Sequence, residues 1–273
     1  MKKLSLLLLL SVSCALQAAA QRYEYGEPVP VKSHRELGIG KARFGVFIAP
    51  TISWMKPTAN KSDDKLYVVE GGGSKVGFTW GLLMDYYFAE NYGIATGFQL
   101  NHTGGQVAVT LNPNVTPPTG NNIVRSADFD YSMQYAEVPF ALKLRSDEIS
   151  TMRIRVYGQI GLTAGITLSK KATYDVIYTD VDENNNSVVK TAYGDREKLK
   201  GLGIAPVLLQ MNIGGGIEIP VTDKMSIYTG LFFNNGFVPD VTNPKELDLD
   251  YKGRFSDGNV RLNNIALRLG MFF

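Results

Sequence analysis

The last residues of the chain, Asn259 to Phe273, alternate with a period of two and end on an aromatic pair. Ile265, Leu267, Leu269, Met271 and Phe273 share one parity, and Asn264, Ala266, Arg268, Gly270 and Phe272 share the other. Successive side chains of a strand point to opposite faces, so from Asn264 onward this segment has one wholly apolar face and one that accepts Asn and Arg. A soluble barrel hides its apolar face inside, whereas a transmembrane barrel turns it to lipid and keeps the polar face within. The exposed aromatic end favours the second reading over a soluble, lipocalin-like barrel.

The same period predicts eight strands, at about 41–54, 75–88, 91–105, 129–145, 152–170, 205–220, 224–236 and 259–273. In the second, Val76, Phe78, Trp80, Leu82, Met84, Tyr86 and Phe88 oppose Lys75, Gly77, Thr79, Gly81 and Asp85; in the fifth, Ile154, Val156, Ile160, Leu162, Ala164, Ile166 and Leu168 oppose Arg153, Arg155, Tyr157, Gln159, Thr163 and Thr167. Each apolar row is about the 9 to 11 residues that a tilted strand needs to cross a bilayer. Short turn-forming connections follow strands two, four and six (Glu90-Asn91, Ser146 to Thr151, Thr222-Asp223), and long ones follow strands one, three, five and seven. That alternation is expected of an eight-stranded antiparallel up-and-down transmembrane β-barrel with both termini periplasmic. Parity, loop alternation and the terminal Phe agree, and agreement across levels counts for more than any one signal.

Composition adds the compartment. Lys2 and Lys3, the apolar run Leu4 to Leu10 and the small residues ending Ala18-Ala19-Ala20 form a secretory signal pattern. The expected organisation is a signal peptide at 1–20, a periplasmic lead-in at 21–40 and an outer-membrane barrel at 41–273. The apolar run is too short for a membrane helix, which needs about 20 residues. Cys14 is the chain's single cysteine, but Ser11 stands where a lipidation motif carries Leu, so acylation is disfavoured. With 28 basic and 26 acidic residues the chain offers no basic stripe for nucleic acid.

Several segments resemble the PorT-like outer-membrane β-barrel family of the Bacteroidetes, sometimes grouped as porin-like: Phe44-Gly45-Val46 leading to Ser53-Trp54, the glycine-spaced Gly93 to Gly97, Tyr135-Ala136-Glu137-Val138-Pro139, and Tyr157-Gly158-Gln159-Ile160-Gly161-Leu162. The plan is also similar to small OmpA- and OmpX-type barrels. The resemblance implies fold and location; one namesake is tied to protein secretion, and fold alone does not carry function over. It also implies that Phe273 is read by the outer-membrane insertion machinery.

The inward parity holds Asp85, Glu137, Lys143, Arg145, Arg153, Arg155, Glu218 and Arg268. An eight-stranded barrel is wide enough only for its own side chains, and buried charges must pair. A salt-bridged plug is the expected arrangement, with a narrow gated channel as the alternative. Pro139, in mid-strand, is expected to mark a bulge or an edge.

A lipid A-modifying enzyme would have to use His34 or His102, the chain's two histidines. His102 falls on the lipid-facing parity near the outer rim, but Gly104 stands where a partner Ser would be needed, and a nucleophile must lie within reach of its base. No spacing of Cys and His fits a metal site. Gly71-Gly72-Gly73 and Gly214-Gly215-Gly216 lack the Lys-Ser/Thr of a phosphate loop, and the acidic run near Asn184 to Asn186 lacks a calcium-loop frame. The expectation is therefore a non-enzymatic barrel without cofactor or metal, acting in envelope structure, surface interaction or support of a secretion system. Its expected partners are outer-membrane lipid and lipopolysaccharide, the insertion machinery, and a protein met through loops 55–74, 106–128, 171–203 and 237–258.

Overall fold

The computed structural model describes residues 42–58, 66–116, 123–149, 153–182, 186–198, 205–222, 225–238 and 260–273. The expected signal peptide, the lead-in and most of 237–258 lie outside these residues. The described chain is all-β: β1 (Ala42–Pro57), β2 (Tyr67–Tyr87), β3 (Tyr92–Leu111), β4 (Ile123–Arg145), β5 (Arg155–Val181), β6 (Ser187–Lys198), β7 (Val207–Pro220), β8 (Ser226–Gly236) and β9 (Val260–Phe272). Neighbouring strands pair antiparallel. β1 meets β9 and β4 meets β5, which closes a ring of eight strands from which β6 is excluded.

The eight-strand expectation holds for the ring, and β6 is an addition to it. β5 is long enough for two partners: Arg155 to Ile166 pair with β7, and Lys171 to Val181 pair with β6. The strand boundaries need correcting in the same direction. Residues 67–74, 106–111, 123–128, 171–181 and 187–198, expected to be loops, are strand. Alternation with an apolar outward face marks a lipid-facing strand, and the outward faces of these stretches are largely polar.

β4 makes the reason visible. Its outward row reads Ser126, Asp128, Asp130, Ser132, Gln134 and then Ala136, Val138, Phe140, Leu142, Leu144; its inward row reads Ala127, Phe129, Tyr131, Met133, Tyr135 and then Glu137, Pro139, Ala141, Lys143. The two faces exchange polarity between Gln134 and Glu137. On the Leu144 side the strand is apolar outside and polar inside, as lipid requires; beyond the switch it has the opposite sense, like a strand of a soluble protein. β3 does the same, outward from Phe98 and Leu100 to His102 and Gln106, and inward from Gln99 and Asn101 to Val107 and Val109. The outer stretches share one apolar core with the inner faces of the shorter strands, including Met55, Tyr67, Val69, Phe129, Tyr174, Val176, Leu208 and Leu262.

β5 reaches this core through a bulge. Gln134 pairs with Ser169 but Tyr135 pairs with Thr167, so Leu168 is the extra residue and the parity flips beyond it. Leu168 faces out, while Ala172, Tyr174 and Val176 face in. Pro139, by contrast, causes no register shift: β3 and β4 keep one register on either side of it, and the ladder lapses only at the pairs opposite Val138 and Pro139, where proline offers no N–H.

Within the lipid band the register is testable. Ile160 is 50% exposed and its neighbour Gln159 only 8%. Ile160→Arg or Ile213→Arg is expected to cost roughly 2 to 4 kcal/mol in lipid vesicles, measured by denaturant unfolding. Membrane-confined labelling should reach a cysteine at 160 and miss one at 159; the reverse would place every side chain of β5 on the wrong face.

Candidate functional site

The ring's interior is filled in layers. At the end bearing the short turns, Arg43 of β1 lies opposite Asp85 of β2 in register and donates Nη2 to its Oδ2 at 3.2 Å and Nη1 to Glu218 Oε1 at 2.5 Å. Lys143 of β4 reaches the same Asp85 oxygen at 2.5 Å, and Ser226 Oγ donates to Glu218 at 2.9 Å. Four strands therefore contribute two cations and two carboxylates to one cluster, as the cost of unpaired buried charge demands.

Aromatic rings roof this cluster. Lys143 Nζ lies 4.6 Å from the centre of the Tyr157 ring and 4.8 Å from that of Phe272, and the Arg43 guanidinium lies 4.5 Å from the Phe272 ring. Such cation–π contacts stabilise most when desolvated. Phe272, Tyr157, Tyr228, Phe232 and Phe47 pack together across the lumen. Arg268 lies over Phe232 at 4.3 Å and Phe47 at 4.9 Å and turns its Nη2 toward Gln99 Oε1 at 3.4 Å. Gln99 Nε2 in turn donates to Glu137, which also accepts from Asn101 Nδ2 at 2.8 Å. A neutral amide thus stands between the third cation and the third carboxylate.

Above this lies a belt of amides. Gln159 of β5 donates to Asn212 of β7 at 2.9 Å, Asn212 to Asn234 of β8 at 2.5 Å, and Asn234 to Asn264 of β9 at 2.6 Å. Ser53 of β1, paired with Asn264, continues the level and donates to the Gly104 carbonyl at 2.7 Å. Beyond the belt begins the apolar core. The pocket beside Asp85, Lys143, Gln159 and Arg268 measures about 20 Å³, room for about one water.

The eight residues expected in the lumen divide. Asp85, Glu137, Lys143, Glu218 and Arg268 are buried there. Arg145 sits at the mouth, donating to the Glu90 carbonyl at 2.9 Å and stacked 3.8 Å from the Tyr87 ring. Arg155 keeps the inward parity, opposite Glu218 in register at the mouth, and Arg153 does not; both bond Glu148 of the preceding turn, at 3.0 Å for Arg153 and 2.9 Å for Arg155. β5 begins only at Arg155, and Arg153 has a left-handed backbone with φ 56°, so the strand's alternation does not extend to it. Arg43 was missed as a network member although it shares the inward parity of Gly45 and Thr51. The amide belt was missed because a scan for charges passes over Asn and Gln.

His102 lies exposed on the outer face with Nε2 3.4 Å from Gln134 Nε2, and Gly104 follows it on that face. Phe273 is exposed, and its N–H donates to the Phe44 carbonyl at 2.9 Å.

A closed antiparallel ring with an apolar exterior band and a charge-filled interior defines a transmembrane β-barrel. The chain belongs to the outer membrane protein beta-barrel domain family, whose model matches residues 20–205, and that family places it in the outer membrane. Solved structures of similar fold include Ail, the attachment invasion locus protein of Yersinia pestis (13% identity, 85% of this chain and 99% of that one, TM-score 0.34). Others are Neisserial surface protein A (12%, 85% and 99%, TM-score 0.34) and the outer membrane protease OmpT from Escherichia coli (8%, 85% and 95%, TM-score 0.33). No curated protein matches the sequence.

Lys143→Met should destabilise the inserted barrel by about 3 kcal/mol, because Asp85 and Glu218 are left with Arg43 alone. Combining it with Asp85→Leu should recover most of that loss. Urea unfolding of the variants in lipid vesicles measures both, and a double variant no better than the single would contradict the pairing.

Proposed function

We propose that the protein is a non-enzymatic outer-membrane barrel with a closed lumen, whose working part is the sheet that projects beyond the lipid. One observation carries this reading: the exchange of polarity on β3 and β4, which gives the outer stretches of β2 to β5 their own apolar core. Loops that merely connect strands need no such core, whereas a binding platform gains from a rigid scaffold. The filled lumen supports a role in surface interaction, envelope structure or support of a secretion system over transport. His102 has a Gln and a Gly as its neighbours on the outer face, which supports a rim histidine over a catalytic one.

The same reading puts both termini in the periplasm, the signal peptide at 1–20 and the lead-in at 21–40. The PorT-like resemblance fits it, and so does a protein partner met through the projecting sheet. Phe273 is the insertion signal in this account. Physically, the strand it follows must pair with β1 to remove the sheet edge that lipid does not tolerate.

Planar-bilayer recordings of the full chain should give no steady conductance, and Arg268→Ala or Glu137→Ala should raise it above that of wild type. Steady ion flow through the wild-type protein would overturn the closed lumen. Protease added to intact cells should cut near 182–186 or 239–259 and spare 146–151 until the outer membrane is opened; early cleavage at 146–151 would invert the orientation. Deleting Phe272 and Phe273 should leave export from the cytoplasm intact and lower the heat-modifiable, inserted fraction, measured by gel shift at native expression. An unchanged inserted fraction would remove the terminal aromatic from this account.

A further inference from the structure

Where the faces exchange polarity, lysines gather on the outside. Lys171 of β5 lies directly opposite Lys198 of β6 and beside Ser132 of β4. Ala172 is buried in the outer core, so alternation turns Lys171, and Lys198 with it, to the outward face. Lys75 of β2 arrives at the same spot: its ammonium donates to Ser132 Oγ at 2.8 Å, to the Tyr131 carbonyl at 3.2 Å and to the Asp130 carboxylate. It crosses Gly104, where a Cβ would stand 2.9 Å from the Lys75 Cδ. Three strands thus bring lysines to the neighbourhood of one serine.

At the level of Ser132 the basic pair is Lys171 and Lys198, with Asp128 and Asp175 facing each other further out along β4 and β5. Asp130 is engaged by Lys75, Asp195 accepts from Thr173 Oγ1 at 3.2 Å, and Glu197 lies opposite Ala172, whose side chain is on the other face. Like charges placed directly opposite weaken a ladder. Lys171 facing Lys198 is therefore a local cost that an anion would turn into a gain.

The height of the row identifies the anion. Ser132 lies four residues beyond Ala136, where the outward apolar row of β4 begins. At about 3.3 Å per residue and a strand tilt near 40°, that is roughly 10 Å above the hydrocarbon edge. Lipid head groups occupy about the first 5 to 8 Å there, and lysine stems bend toward them. We propose that Lys171 and Lys198, with the Ser132 hydroxyl that Lys75 holds in place, bind a phosphate group of a phosphorylated lipid in the outer leaflet. This rests on the outer-membrane placement and not on the closed lumen.

The test uses the full chain in phosphatidylcholine nanodiscs, with binding read by native mass spectrometry. The probes are lipid A carrying two phosphates, its dephosphorylated form, and inorganic phosphate. Wild type should prefer the phosphorylated form by at least about tenfold, and Lys171→Gln with Lys198→Gln should abolish the preference. The matching double change to Arg should keep it. So should Lys190→Gln, further out on β6, where Lys190 bonds Asp180. In phosphatidylcholine alone the double Gln variant should melt no lower than wild type, which separates lost binding from lost folding. Equal affinity for the two lipid forms, or an unaltered preference in the double Gln variant, would overturn the site; displacement of the lipid by millimolar inorganic phosphate would make it an ion site instead. Conductance by wild type would sink the closed-lumen reading and leave this one standing.

Discussion

In hydrocarbon a backbone N–H or C=O without a partner costs several kcal/mol, and water is not there to help. Everything else in this protein follows from satisfying that demand with strands. An open sheet has two unpaired edges, so the sheet must close. The β4–β5 ladder, running from Ile123 and Thr179 to Arg145 and Tyr157, joins one end of the sheet order to the long β5 strand and removes the edges. Closure at eight strands in turn fixes a lumen that side chains must fill.

That lumen is filled with polar groups because the apolar ones are needed outside, and the filling is arranged so that each charge has company. Arg43, Lys143, Asp85 and Glu218 neutralise one another at the end with the short turns, and Arg268 and Glu137 share Gln99 nearer the middle. Above the membrane water returns, and the economy reverses: the interior becomes apolar and the exterior polar within the same continuous strands. The switch needs no register shift in the β3–β4 ladder, where only the sequence changes at Gln134 to Glu137. On β5 it coincides with the Leu168 bulge, which lets one strand serve both regimes.

The membrane half of this design is legible in the sequence because lipid imposes a simple rule. Rows such as Val138, Phe140, Leu142 and Leu144 stand out, and every such row turns outward as parity predicts. The outer half reads as loop because its outward residues, Ser126, Asp128 and Asp130 on β4 or Thr173 and Asp175 on β5, lack the apolar row that lipid imposes. Following the inward row instead, Phe129, Tyr131, Met133 and Tyr135, would have extended β4. The bulge at Leu168 hides the same continuity on β5 by swapping odd for even. Arg43 was legible in parity but needed the register with Asp85 to become a partner, and the amide belt needed four strands aligned at one height.

The central claim is the exchange of faces at a single level, and accessibility along one strand tests it directly. In a Cys14→Ser background, single cysteines at Asp130, Tyr131, Ser132, Met133, Val138 and Phe140 can each carry a spin label in lipid vesicles. Collision with oxygen should dominate at 138 and 140, collision with a water-soluble nickel chelate at 130 and 132, and neither should be strong at 131 and 133. Oxygen-dominated labels at 130 and 132, or chelate access at 131 and 133, would contradict it.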